Sequence, residues 1–355
     1  MTPPPSSAAP AVVVLAGGIS ARYGRPKALE PAGPSGETLM DYVVFDALRA
    51  GCGLVALVLG EASADSVREH ADRFLEHSGV PVRAVVQRLA DLPPGRRPPA
   101  ERRKPWGTGH AVLCAAPHVA GPFLVANTDD FYWPEAYRTL VEELLRVGPS
   151  AAAPPLGSQV PTGSSAPPGR TPLRGAVAAY RLADTLPAGG GVSRAILEVD
   201  AEGFAGGVTE GKELRREGEG VVGVTAGGDP LALSGEELVS MNLWAFPHGM
   251  MAALRARFAA WLDVHGGDAA REFLLTEAVD AEVRDGGARV RVRPVARGGF
   301  GITFPEDLPR VRRELARAVV AEGYPADLAR ALREPSPGWG ASGHGSPGGS
   351  APPPS

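Results

Sequence analysis

The residues best suited to chemistry lie between 12 and 30, in VVVLAGGISARYGRPKALE, where an apolar run breaks at two glycines and then meets basic side chains. Gly17 and Gly18 allow a tight turn and a close approach of the backbone to a ligand. Arg22, Arg25 and Lys27 supply positive charge where such a turn would hold phosphates. The pattern is not G-x-x-x-x-G-K-[ST], because Gly24 is followed by Arg25 and Pro26, and it lacks the third glycine of G-x-G-x-x-G. A second group closes the stretch FLVANTDDFYW (123–133), where Asp129 and Asp130 follow an apolar strand directly. Ligands of open α/β sheets bind beyond the carboxyl ends of strands, so two carboxylates there can hold a hard cation. Magnesium fits best, because it takes carboxylate and phosphate oxygens and offsets charge on a reacting phosphorus. The same acids could instead cap the next helix, with Pro134 at its first position, and for Asp130 that reading stands equally.

These groups need a scaffold that brings strand ends together. Runs at 12–15, 54–59, 82–87 and 123–126 read as buried strands and alternate with helical stretches at about 39–50, 63–78 and 109–116, which implies a parallel sheet with right-handed crossovers. The helix at 39 has a legible start, with Thr38 as N-cap and Asp41 three residues on, and Gly51 as its terminator. A further helix covers about 134–147. Residues 150–172 are too rich in Pro, Gly and Ser to form an element and read as a surface loop.

From 175 the character changes to strands and tight turns, with Asp200 to Gly203 as a hairpin signal. A strand at about 239–246, helices near 249–262 and 271–283, a strand at 288–293 and a terminal helix starting near Pro305 complete the pattern. The expected architecture is an α/β domain over 11–334, mainly a parallel sheet flanked by helices, whose second half, 175–330, is an antiparallel extension. Residues 1–10 and 335–355 are too poor in apolar groups to offset ordering entropy and read as disordered tails.

Composition narrows the function classes. A net charge of −4 argues against a nucleic-acid partner, which calls for a basic excess. Cys52 and Cys114 make neither a disulfide framework nor a zinc site. No apolar run approaches the roughly 20 residues of a membrane span, and MTPPPSSAAP lacks the features of a signal peptide, so a cytoplasmic location without membrane contact is expected.

The stretch LAGG-x-S-x-R-x-G-x-P-K-A-L resembles the signature of nucleotidylyltransferases that join a nucleotide to a sugar phosphate, and the likeness spans about residues 11–330. The resemblance implies a GT-A-like, Rossmann-type fold and the reaction of an NTP with a sugar 1-phosphate to give an NDP-sugar and pyrophosphate. It places the nucleotide against Leu15, Ala16, Gly17 and Gly18, and gives Arg22 and Lys27 the neutralisation of the triphosphate, Lys27 also bridging to the second substrate. KPWGTGHAV (104–112) is similar to the family segment whose Gly-Thr pair, here Gly107 and Thr108, meets the nucleobase. His110 is discounted as a catalyst, since the attacking phosphate needs no general base. Trp106 reads equally as a flank for the base and as core.

The resemblance assigns a Mg2+ ligand to Asp129 and a second to Asn242 on VSMNLWAF, with Ser240 as the alternative register; that strand carries no acid. It gives Gly191 and Glu210 the sugar hydroxyls. Arg194 could meet the sugar phosphate, or be an exposed strand arginine. The run DLPPGRRPPAERRKP (91–105), with Arg96, Arg97, Arg102, Arg103 and Lys104, is a solvated loop or a mobile lid. The nearest relatives by motif are sugar-1-phosphate uridylyl- and thymidylyltransferases; molybdenum-cofactor guanylyltransferases share the short loop but lack an extension like 175–330. A GT-A glycosyltransferase and a non-catalytic nucleotide-sugar sensor are the rival readings. The base, the sugar and the oligomeric state stay open.

Overall fold

A computed structural model describes residues 9–17, 26–147 and 171–333. Most of the two terminal stretches and of the 150–172 stretch lie outside these residues, as do Gly18, Arg22 and Arg25. In chain order the first half runs β1 (Ala11–Ala16), α1 (Leu39–Arg49), β2 (Leu54–Gly60), α2 (Ala64–Leu75), β3 (Val82–Gln87), α3 (Thr108–Ala115), β4 (Phe123–Asn127), β5 (Asp130–Phe131) and α4 (Pro134–Val147). The second half continues with β6 (Leu173–Arg181), β7 (Val192–Val199), β8 (Ala205–Glu217), β9 (Gly220–Thr225), β10 (Pro230–Leu233), β11 (Leu238–Ser240) and β12 (Trp244–Phe246). It closes with α5 (Gly249–His265), α6 (Leu275–Arg284), β13 (Ala288–Pro294), β14 (Phe300–Gly301), α7 (Leu308–Glu322) and α8 (Leu328–Arg333).

Among the described residues one large sheet has the order β10-β9-β8-β7-β11-β6-β12-β4-β1-β2-β3, with β13 also beside β6. Strand β1 lies between β2 and β4, parallel to both, as the alternation of apolar runs and helices requires. Both of its faces are covered, which is why it is apolar throughout. Val13 and Leu15 join the core under α3, α5 and α6, while Val12 and Val14 join the core under α1, α2 and α4. The antiparallel extension is the β7–β8–β9–β10 meander, with Phe204 and Asp200 closing the 200–203 turn.

Helix α1 starts as its sequence dictates. Thr38 Oγ1 accepts from the Asp41 N–H at 3.2 Å, and Asp41 Oδ2 accepts from the Thr38 N–H at 2.8 Å. That reciprocal pair satisfies two orphan donors of the first turn.

The expected strand over 239–246 is two strands. β11 pairs with β6 and β7, and β12 with β6 and β4, so the chain changes neighbours across Met241–Leu243. Asn242 makes the bend with φ of +76°, a left-handed conformation that asparagine tolerates better than most residues. This break joins the parallel half to the extension.

Candidate active site

The carboxyl ends of β1 and β4 lie side by side, Leu15 opposite Asn127. Thr128 Oγ1 reaches the Leu15 carbonyl at 3.4 Å, so the chain leaving β4 is pinned to the chain leaving β1. Ala16 is buried and Gly17 packs against Gly60 at the end of β2, which leaves the strand ends flush. Pro26 is followed by a single helical turn, Lys27–Leu29, that carries the lysine back over these ends. Its ammonium lies 3.4 Å from Asp129 Oδ2 and 3.0 Å from the Ile302 carbonyl. Both charged side chains keep partial exposure, 21% for Lys27 and 31% for Asp129, so a ligand can reach them.

Asp130 has a different environment from its neighbour. It is buried, and its Oδ2 accepts from Asn127 Nδ2 at 2.9 Å and from the Tyr132 hydroxyl at 3.4 Å. Burial, reinforced by the adjacent Asp129 charge, pushes its carboxyl up to about 6. The helix-cap reading of Asp130 does not hold: its oxygens serve this network, and α4 begins at Pro134, behind Trp133 with φ of +69°.

Asn242 reaches the same network. Its Nδ2 donates to Asn127 Oδ1 at 2.8 Å, and its Oδ1 accepts from Trp244 Nε1 at 2.9 Å. Asn127, which the sequence pattern left unassigned, therefore ties the β4 end to the 241–243 bend; its place two residues before Asp129 was the available signal. Ser240 Oγ accepts the Asn242 N–H. Among the described residues no group of three or more His, Cys, Asp or Glu side chains is arranged to hold a metal ion.

Gly107 and Thr108 open α3. Gly107 has φ of +107°, and a Cβ there would lie 2.5 Å from the Phe273 carbonyl, so its close approach is to the backbone before α6. The Thr108 hydroxyl accepts from the Leu275 N–H at 3.0 Å. Gln87, at the end of β3, donates to the Gly107 carbonyl and to His110 Nδ1, both at 3.0 Å. His110 Nε2 donates to the Asp91 carbonyl at 2.7 Å, and burial holds the imidazole below its usual pKa. It is a neutral structural histidine. Trp106 is core: it is fully buried, and its indole N–H donates to the Leu89 carbonyl.

The 91–105 run is pinned at Arg102, while most of its other residues, Arg97 among them, are exposed. Arg102 is 1% exposed, stacks on Trp106 at 3.8 Å and donates to the Asp268 and Pro105 carbonyls, each at 2.8 Å. Arg96 pairs with Asp263, and Lys104 lies 3.4 Å from Glu272.

On the extension, Gly191 packs against Glu213, and Glu210 is paired across from Ala195. Glu210 Oε2 accepts from Thr276 Oγ1 at 2.8 Å, and burial raises its carboxyl above the ordinary range. Arg194 is not an exposed strand arginine. It is 8% exposed and, among the described residues, donates to Thr185 and Ser193, yet it lies within electrostatic range of Asp130, Tyr132, Asp129 and Glu210. Burial lowers its pKa, and those acids oppose that shift. A shift of one residue along β7 would have put it on the opposite face, where Ser193 is exposed, and period-2 patterning alone does not fix that register.

The sheet is mixed, parallel across β4, β1, β2 and β3 and antiparallel through the extension, and a lysine and a carboxylate pair at the ends of its parallel strands. Residues 12–195, more than half of the chain, match the MobA-like NTP transferase domain, and the chain belongs to that family. It is thereby an enzyme of nucleotidyl transfer. The solved structure of the inositol-1-phosphate CTP transferase from T. maritima is similar, with a TM-score of 0.53 at 14% identity, covering 88% of this chain and 97% of that one. That likeness carries the fold through the extension, beyond the end of the family match. No curated protein sequence matches the chain. No helix among the described residues is long and apolar enough to cross a membrane.

Proposed function

We propose that the chain transfers a nucleotidyl group from an NTP to a sugar 1-phosphate, releasing pyrophosphate and an NDP-sugar, with magnesium as the metal. The observation that carries this reading is the pairing of Lys27 with Asp129 at the ends of β1 and β4. An accessible ammonium beside an accessible carboxylate suits a reaction in which phosphate charge must be neutralised twice, by a fixed cation and by a metal.

In this reading Lys27 and Arg22 neutralise the triphosphate, and Leu15, Ala16, Gly17 and Gly18 line it with backbone. Gly107 and Thr108 flank the base; the Thr108 hydroxyl, already accepting from Leu275, keeps its own proton to donate. Asp129 would hold the metal. A hard carboxylate oxygen with open space beside it fits magnesium, which takes one or two protein oxygens and completes its shell with phosphates and water. Asn242 is the second and weaker oxygen donor, since its Oδ1 already accepts from Trp244 and retains one lone pair. When bound, magnesium would polarise the α-phosphate and offset charge on the leaving pyrophosphate.

The half over 175–330 is assigned the acceptor. Arg194, a buried cation whose bonds among the described residues go to the neutral Thr185 and Ser193, is suited to the acceptor phosphate, and Gly191 and Glu210 to its hydroxyls. The acceptor phosphate is already nucleophilic at pH 7, so catalysis is in-line positioning and charge stabilisation.

The test is a matrix of NTPs against sugar 1-phosphates, read by pyrophosphate release with magnesium and with a chelator. The protein of similar fold is an inositol-1-phosphate CTP transferase, so CTP and inositol 1-phosphate belong in that matrix. One productive pair that needs magnesium supports the proposal; no release from any pair overturns it.

A further inference from the structure

The segment Gly298–Phe304 crosses the site from behind, and nothing in the reaction outlined above uses it. Its strand β14 pairs with β5, Gly301 opposite Asp130 and Phe300 opposite Phe131. The Ile302 N–H donates to the Asp129 carbonyl at 2.9 Å, and the Ile302 carbonyl accepts from Lys27 Nζ at 3.0 Å. One residue thus holds the backbone of the proposed metal ligand through its N–H and the side chain of the proposed phosphate-binding lysine through its oxygen. The approach leaves no room for a side chain at 301. A Cβ there would lie 2.5 Å from the Asp129 carbonyl and would overlap Asp130 Oδ1. The segment is anchored on both sides, by Phe300 stacked on Phe131 at 5.0 Å and by the Trp133 indole N–H bonded to the Gly298 carbonyl. Phe304 then packs on Gly190, beside the proposed acceptor loop.

The geometry points to residues 298–304 as a positioning strap for nucleotidyl transfer: through Ile302 it sets the distance between Lys27 and Asp129 before substrate arrives. This rests on the roles given to those two residues above. A lone lysine on a one-turn helix would sample several rotamers, at an entropic cost when it meets a phosphate. A carbonyl and a carboxylate that hold its ammonium in advance remove part of that cost. The contact is weak enough to exchange for phosphate oxygens, because a neutral carbonyl competes poorly with a charged acceptor.

The strap predicts coupling between position 301 and Lys27. Pyrophosphate release is measured for Gly301→Ala, Lys27→Ala and the double variant, with Leu262→Ala in α5 as a distant core variant that matches stability loss. Gly301→Ala should lose about 10-fold or more in kcat, whereas in the Lys27→Ala background the same change should cost less than about 2-fold. Equal losses in both backgrounds, or a loss no larger than that of Leu262→Ala at equal Tm change, would overturn the strap. Should Gly301→Ala fail to fold, Phe300→Leu loosens the same segment without a clash and must show the same coupling.

A readout independent of turnover separates this inference from the functional one. Amine acylation followed by mass spectrometry should label Lys27 more slowly than the exposed Lys104, and Gly301→Ala should speed Lys27 about 5-fold while leaving Lys104 unchanged. Unchanged Lys27 labelling removes the strap even from an active enzyme. An inactive parent with the expected labelling removes the proposed reaction and leaves the strap.

Discussion

Lys27 Nζ and Asp129 Oδ2 lie 3.4 Å apart although 102 residues separate them in the chain. The distance is a product of the sheet: β1 and β4 are parallel neighbours, each ends at the same level, and each feeds one charged residue to that edge. In a half-exposed setting such a pair contributes little to stability. Its value lies in what it offers a phosphate.

Lys27→Ala is accordingly expected to lose at least roughly 10²-fold in kcat/KM, about 2.7 kcal/mol of transition-state stabilisation. The melting temperature should stay within about 2 °C, since the side chain fills no core space. Steady-state kinetics beside a thermal melt reads both.

Arg102 and Arg97 should behave differently despite sharing one basic run. Arg102→Ala removes a buried guanidinium from Trp106 and from two carbonyls, an expected loss of about 2–3 kcal/mol. Arg97 is exposed, and Arg97→Ala should be within about 0.5 kcal/mol of the parent. Denaturant midpoints for the two variants check this; equal midpoints would make the run a solvated loop after all.

The order of elements and the start of α1 were legible because apolar period, glycine and capping chemistry act locally. The placement of Lys27, Asp129 and the Gly-Thr pair near strand or helix ends was legible because apolar runs break there; the roles given to them rest on the resemblance and are proposals. Arg102 and Arg194 were not: charge pattern marks both as solvent-facing, and only the docking of the 268–275 segment and the register of β7 bury them. The break at Asn242 was hidden for a related reason, since a left-handed residue inside an apolar run leaves no mark on its neighbours. Ile302 acts through its backbone, so no side-chain pattern could reveal it.

Arg194→Gln should separate the substrates. With the buried cation gone, KM for the acceptor phosphate should rise about 10-fold or more while KM for NTP changes less than about 3-fold. A change confined to the NTP would move Arg194 to the nucleotide side.

Asp46 gives a pH dependence with a definite sign. It is buried on α1, accepts from the Tyr324 hydroxyl at 2.6 Å, and burial pushes its carboxyl from 3.8 up to about 8. Between those values the folded chain holds a proton that the unfolded chain has released, so this contribution to stability is full below pH 4 and is lost as pH rises towards 8. The slope is at most about 1.4 kcal/mol per pH unit. Asp46→Asn, which keeps an acceptor for Tyr324, should flatten Tm against pH across pH 5–8 and raise Tm at the alkaline end. Superimposable curves for parent and variant would contradict the assignment.

The most direct test of the account is turnover of Asp129→Asn, measured with the melting temperature and beside Asp130→Asn. The asparagine keeps shape and hydrogen bonding but loses the charge that would bind magnesium and face Lys27. The account predicts a fall of at least roughly 10²-fold in kcat for Asp129→Asn with Tm within about 2 °C, and partial rescue by manganese. Turnover within a few-fold of the parent would contradict it and remove both the metal and the Lys27 pairing from the chemistry.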